Sequence, residues 1–252
     1  MSTLSGFHAL VTGGGRGIGR AIAASLVQAG ATVTIMGRKL DTLNEVIVAG
    51  DAHHAIAADV SDQAALTEAI AEAAKRAPID ILVANAGAAE SAPFGRSDAA
   101  LFQRMMDVNF LGVVYAAQAV LPGMVARKRG RIVAIASTAG LKGYGYVTAY
   151  AAAKHAVIGL VRSLALEVAT KGVTVNAVCP GFTETDLLEG SIDNIMGKTG
   201  RTREQAVAEL AKHNPQGRLV TPAEVADAVL YLCGPGASAI TGQSLVVAGG
   251  EI

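Results

Sequence analysis

Tyr150 and Lys154, in the run Tyr150-Ala-Ala-Ala-Lys154, are a phenol and an ammonium four positions apart. On a helix that spacing puts both on one face, about 5–6 Å apart at Cβ. A free tyrosine has a pKa near 10, so it trades protons near neutrality only where a cation and a polar site favour its ionised form. Lys154 is the one close candidate in sequence for that cation. Taken alone, Tyr-x3-Lys is structural far more often than catalytic. Ser137 adds weight, because it ends the β-rich run Arg131 to Ala136 and so stands at the mouth of the same crevice.

A second feature is Thr12-Gly13-Gly14-Gly15-Arg16-Gly17-Ile18-Gly19, placed between a β-rich run and the helical segment Arg20 to Ala29. Glycines at 13, 17 and 19 permit positive φ, close approach of backbone to a pyrophosphate, and tight helix-on-strand packing. The helix N-terminus supplies oriented N–H groups for the phosphate. A flexible loop is the bland alternative, and the strand-to-helix position argues against it. In such a fold the end of the second strand meets the adenosine ribose, where an acid would bind a free 2′-hydroxyl. The chain reads Ile35-Met36-Gly37-Arg38-Lys39 there, with no acid until Asp41. Gly37 leaves room for a 2′-phosphate, Arg38 can pair with it, and Arg16 can approach from the other side. NADP(H) is therefore expected over NAD(H), the alternative being that both arginines are surface charges.

These groups need a scaffold. Short β-rich runs recur at 8–11, 32–36, 54–58, 79–84, 131–136, 174–178 and 244–247, each followed by a longer segment of helical character. Helices are expected at 17–29, 39–49, 62–76, 98–127, 150–170, 203–212 and 222–233, with Ser61 and Thr221-Pro222 as start signals. Alternation of this kind specifies an α/β fold, a doubly wound parallel sheet with helices on both faces. Ligands then sit at the carboxyl ends of the strands where the strand order reverses. One domain is expected over 1–252, with a partly helical lid at about 182–216.

Bulk properties exclude several classes. The 21 basic side chains balance 21 acidic ones, so no basic field is available for nucleic acid. The chain is 51 % hydrophobic with 29 glycines, composition that packs rather than stays disordered. Cys179 and Cys233 lie in apolar stretches and behave as small hydrophobes in a reducing compartment. Met1 to Val11 lacks a basic leader and no run of 18 uninterrupted apolar residues occurs, so a cytoplasmic protein without a membrane span is expected. Histidines 8, 53, 54, 155 and 213 have no metal-binding spacing, and His155 reads as a packing or surface residue.

The Gly13-x3-Gly17-x-Gly19 spacing resembles that of the short-chain dehydrogenases/reductases, a family with a Rossmann-like fold. Ser137, Tyr150 and Lys154, with Asn109 in the helix 98–127, look like that family's catalytic tetrad. The likeness runs through Asn85-Ala86-Gly87, Pro180-Gly181 and Thr241-Gly242-Gln243. It implies that Tyr150 gives a proton to a carbonyl oxygen as NADPH delivers hydride to the carbon, with Ser137 hydrogen-bonding the same oxygen. It further implies that Lys154 holds the nicotinamide ribose and that Asn109 carries a water relaying protons to Lys154. Asn85, Ala86 and Gly87 would line the adenosine and ribose, Asp59-Val60 the adenine edge, and Pro180-Gly181 with Thr183 and Thr185 the nicotinamide amide. For Asp59 a loop or cap role competes. The chain departs from common members at Ala84, Ala152 and Ala248, none of them in the tetrad.

Substrate walls are expected from Phe94, Leu141, Tyr144, Tyr146, Phe182, Leu187, Leu188, Ile192 and Met196, an apolar set that favours a hydrophobic or acyl ketone. The motifs around 134–140 and 176–185 resemble 3-oxoacyl thioester reductases and aromatic polyketide ketoreductases. Arg127-Lys128-Arg129, with Arg131 and Lys171, reads as a solvated charged end or a carrier-protein dock on the edge away from the crevice. Apolar faces on 98–127 and 150–170 point to self-association, by resemblance a homotetramer. Two readings compete: a non-catalytic NADP(H)-binding sensor, against which the intact Ser137, Tyr150 and Lys154 argue, and a sugar-nucleotide epimerase, for which the segment after 182 is short.

Overall fold

The computed structural model describes residues 3–252, with the side chain of Leu187 left out. Seven strands, β1 (His8–Thr12), β2 (Thr32–Gly37), β3 (His54–Ala57), β4 (Ile81–Ala84), β5 (Gly130–Ile135), β6 (Val173–Pro180) and β7 (Ser244–Val247), form one sheet. Its order is β3-β2-β1-β4-β5-β6-β7, and every pairing is parallel. The chain winds outward from β1 one way through β2 and β3, then returns beside β1 with β4 and winds the other way. Because helices cover both faces, β1, β4 and β6 are buried at every residue, β4 as a continuous apolar run and β1 and β6 with His8, Thr12, Thr174 and Asn176 buried among apolar neighbours.

The pleat sends neighbours to opposite faces. Leu10, Leu82, Ile132 and Val175 pack toward α3 (Gln63–Ala74), α5 (Gly112–Arg127) and α6 (Thr148–Val168). Val11, Ile35, Val83 and Val133 pack toward α1 (Gly17–Gln28), α2 (Leu40–Val48) and α9 (Pro222–Cys233). The stretch Ala99–Arg127 is long and apolar enough to cross a membrane by length and composition. Here Val113, Ala116, Ala117, Val120 and Met124 are buried against the sheet instead.

Two departures from the sequence reading have a clear side-chain cause. The N-cap of α3 is Asp62, whose carboxylate accepts from the Ala65 N–H, while Ser61 donates its N–H and hydroxyl to Asp59. A carboxylate is an acceptor only, so it takes the cap and leaves the serine as donor. The expected helix 98–127 is three pieces: α4 (Ala99–Met106), a π-helical turn (Asp107–Leu111), and α5. The wide turn surrounds Asn109, which is fully buried and whose Nδ2 donates to the Met105 and Ala88 carbonyls. An inserted side-chain donor of this kind is a recognised cause of a π-bulge. Thr221 caps α9 as expected, in a capping box with Glu224.

The segment 182–220 carries α7 (Asp186–Thr199) and α8 (Arg203–Ala211). They share a small core of Leu188, Ile192, Ala206, Leu210 and Leu219, and a bridge between Thr183 and Val220 pairs the two ends of the segment. At the opposite end of the sheet Arg127 and Arg129 pair with buried Asp80 at 3.4 and 3.3 Å. Those two arginines hold the base of β4 through Asp80 while they and Lys128 stay exposed, as a solvated charged end would.

Candidate active site

A cavity of about 1350 Å³ opens at the carboxyl ends of the strands, where the order reverses between β1 and β4. Of the residues singled out in the sequence, Gly13, Gly15, Arg16, Gly17, Ile18, Gly19, Gly37, Arg38, Asp59, Val60, Asn85, Ala86, Gly87, Asn109, Ser137, Tyr150, Lys154, Pro180, Gly181, Thr183 and Thr185 all line it. Thr12 does not reach it. Its Oγ1 accepts from the Asn85 and Ala86 N–H groups at 3.1 Å, while Asn85 Nδ2 donates to the Thr12 and Gly13 carbonyls. Thr12 is thus a brace behind the loop rather than a wall of it.

The glycine loop has a steric reason at two positions. A Cβ at Gly19 would sit 2.1 Å from the Gly13 carbonyl oxygen, and one at Gly13 would meet Ala86 Cα at 2.9 Å in a backbone of φ +66°. The loop closes on itself and on the β4 turn only without side chains. It delivers α1 with Arg16 as an N-cap that makes no side-chain cap and with no acid in the first turn. Its leading N–H groups face the cavity without competition, which fits a pyrophosphate. Arg38 and Gly37 stand at the end of β2, with no acidic neighbour in the wall there except Asp59, which holds the Ser61 N–H and hydroxyl. Arg16 reaches Asp186 of α7 at 3.3 Å, both side chains exposed.

Across the cavity, α6 begins at Thr148, so Tyr150 lies in its first turn and Lys154 one turn on. Lys154 is buried, donates to the Ile135 carbonyl at 2.8 Å, and has its Nζ 5.7 Å from the Tyr150 ring centre. Burial brings its ammonium down to about 8. Burial also raises the Tyr150 phenol, while the Ser137 hydroxyl beside it acts in the opposite direction. Ser137 follows β5 and its Oγ accepts from the Ala139 N–H at 3.0 Å, which leaves its proton uncommitted by the backbone and available to the Tyr150 phenol. Asn109 Oδ1 accepts from the Ala88 N–H at 3.2 Å. That oxygen and Lys154 Nζ flank the same point beside Gly87, 2.9 and 3.7 Å from where a Cβ would stand.

The expected substrate wall is partly corrected. Tyr144, Tyr146, Phe182 and Leu188 line the cavity. Phe94 lies on a 3-10 turn and is 72 % exposed, Leu141 packs on the main core, and Ile192 and Met196 pack inside the α7–α8 cluster. The Leu187 side chain is outside the described residues. Apolar character alone could not separate those facing the cavity from those facing α8. His213, Ile195, Leu210 and Val147 line the cavity and were not singled out. Of these, Leu210 shows helical spacing with Ala206, the signal that could have found it. Among the described residues no group of three His, Cys, Asp or Glu side chains could hold a metal.

A parallel sheet that reverses at a bare glycine loop, facing a tyrosine–lysine pair across one crevice, marks the class of dinucleotide-dependent oxidoreductases. The short chain dehydrogenase family matches residues 7–195, and the chain belongs to that family. It is 38 % identical to a putative ketoacyl reductase of Streptomyces coelicolor, over 99 % of this chain and 98 % of the relative. It is also 38 % identical to the 3-oxoacyl-(acyl-carrier-protein) reductase of Vibrio harveyi, over 98 % of each. Among solved structures, actinorhodin polyketide ketoreductase with NADPH superposes with a TM-score of 0.92 at 37 % identity, over 97 % of both chains. Levodione reductase gives 0.93 at 31 %, over 98 % of both. The protein is an oxidoreductase of carbonyl and CH–OH groups that uses a nicotinamide cofactor.

Proposed function

We propose that the protein reduces a hydrophobic ketone with NADPH, most fittingly a 3-oxoacyl thioester, with Tyr150 as proton donor to the carbonyl oxygen. The observation that carries this is the convergence of a buried ammonium, a half-buried phenol and an available serine proton on one wall of a cavity whose other wall is a bare glycine loop. When bound, the nicotinamide exchanges a hydride with the carbonyl or carbinol carbon. Tyr150 holds the proton for the oxygen, and Ser137 donates a second hydrogen bond that localises charge there. Lys154 uses one of its three protons on Ile135, which leaves two for ribose hydroxyls and for support of the phenolate. Asn109 has both amide protons committed, and the second lone pair of Oδ1 is the atom by which it would hold a water toward Lys154.

Gly13 to Gly19 would hold the pyrophosphate, Asp59-Val60 and Asn85 to Gly87 the adenosine side, and Pro180, Gly181, Thr183 and Thr185 the amide. NADP preference rests on Gly37, Arg38 and Arg16, and the NADPH complex of the similar actinorhodin enzyme supports it. The thioester reading rests on the two relatives named for oxoacyl reduction. A cytoplasmic homotetramer is part of the same reading, in line with two reduced, buried cysteines. Gly37→Asp with Arg38→Leu should weaken NADPH and favour NADH, measured as kcat/KM for both cofactors in both proteins. A wild type that prefers NADH, or a variant whose preference stays put, would overturn the NADP assignment and leave the rest standing.

A further inference from the structure

The penultimate residue carries a buried carboxylate that no step above uses. The Glu251 side chain is 2 % exposed. Its Oε1 accepts a hydrogen bond from the Tyr144 hydroxyl, lies 3.1 Å from Lys142 Nζ, and stands 3.9 Å from His213 Nδ1. Its Oε2 is buried without a partner, behind Gly181, where a Cβ would come within 3.0 Å of it. Such a group costs free energy unless its partners are held tightly.

The partners belong to three separate segments. Tyr144 and Lys142 follow β5, His213 follows α8, and Glu251 follows β7. The Tyr144 ring meets Phe182 and His213 at 5.9 Å each, and those two rings lie 5.2 Å apart, all three lining the cavity. Tyr144 Oη is also 2.6 Å from Thr138 Oγ1. A phenol has one proton, and a carboxylate can only accept, so that proton goes to Glu251 and Thr138 donates to the phenol oxygen. Thr138 adjoins Ser137 in sequence.

We propose that Glu251 is a positioning residue for the substrate wall: by taking the Tyr144 proton and pairing Lys142 it locks the Tyr144, Phe182 and His213 rings as one face opposite Tyr150. The lock also removes Tyr144 as a second proton donor, leaving Tyr150 alone at the carbonyl oxygen. This rests on the ketoreductase reading for its kinetic consequence, but not for its geometry. The substrate it fits lays a flat or apolar portion against the three rings.

The test uses the full chain as wild type, Glu251→Ala, Glu251→Gln, Tyr144→Phe, and Tyr144→Phe combined with Glu251→Ala. Two readouts are taken: the tyrosine ¹³Cζ NMR signal of Tyr144, assigned by its loss in Tyr144→Phe, and kcat and KM for acetoacetyl-CoA and acetophenone at saturating NADPH. Glu251→Ala should move the Tyr144 signal and raise KM by about fivefold to thirtyfold, with kcat and NADPH affinity within about twofold. Glu251→Gln keeps an acceptor for the phenol and should recover most of that KM loss. The double variant should be no worse than the poorer single one, because the pair acts as a unit. An unmoved Tyr144 signal, additive losses, or equal losses in kcat and cofactor affinity would overturn the proposal. Should Glu251→Ala fail to fold, Glu251→Gln against Tyr144→Phe decides on the same readouts. A wild type that turns over neither ketone would sink the ketoreductase reading, while a moved NMR signal would still uphold the lock.

Discussion

Lys154 holds the least comfortable charge in the site. It is 3 % exposed, has one protein acceptor, and faces no carboxylate that would keep it charged, so burial alone sets its direction. With its pKa lowered to about 8, it is a cation below that pH and neutral above it. In the proposed function that cation would support the Tyr150 phenolate and hold ribose hydroxyls, so activity should follow its charged form. We expect kcat/KM for ketone reduction to be level below about pH 8 and to fall as pH rises through that value, since kcat/KM reports groups of the free enzyme. A profile still level two pH units higher would remove Lys154 from the acid–base account. The Tyr-x3-Lys spacing made this pair legible, because helical geometry fixes it. The commitment of the Asn109 amide to Ala88 and Met105 was not legible, since it depends on a loop meeting a helix.

Among the elements, the caps and the α7–α8 segment separate what sequence specifies from what packing decides. Thr221-Pro222 with Glu224 is a local signal and folded as one. Ser61 and Asp62 are adjacent cap formers, and the choice between them was settled by where Asp59 stands. The π-turn left no mark in the apolar pattern of 98–127, because it widens one turn around a buried amide rather than interrupting the apolar run. In the α7–α8 segment, Leu188 faces two ways, lining the cavity and packing on Ile192 and Leu210. Leu188→Asp would bury an unpaired charge at that junction. It should raise KM for hydrophobic ketones by about tenfold or more, with NADPH affinity kept, because loss of an apolar contact of this size is worth that factor. Equal losses in substrate and cofactor binding would mean general unfolding and would contradict a lid role.

Across the whole molecule, seven β-rich runs alternating with helical segments were enough to expect a doubly wound parallel sheet and a site at its reversal. Handedness and parallel pairing leave few other ways to bury both faces. Glycine spacing added the cofactor side for a steric reason, visible in the 2.1 Å that a Cβ at Gly19 would leave to the Gly13 carbonyl. The substrate side was less legible, because Phe94, Ile192 and Met196 are as apolar as Phe182 and Leu188, and only long-range packing sorts them. The contacts of Glu251 join it to Lys142 and Tyr144, more than a hundred residues away, and nothing local foreshadows them. The central claim is that this wall and that loop meet to move hydrogen with Tyr150 supplying the proton. The most direct measurement is a single turnover of a ketone with NADPH deuterated at the transferring position of nicotinamide C4, for wild type and Tyr150→Phe. Wild type should place one deuterium on the carbinol carbon, and Tyr150→Phe should lower the rate by about 10²–10⁴ at near-normal cofactor affinity. Cofactor binding without deuterium transfer, or a Tyr150→Phe rate close to wild type, would contradict it.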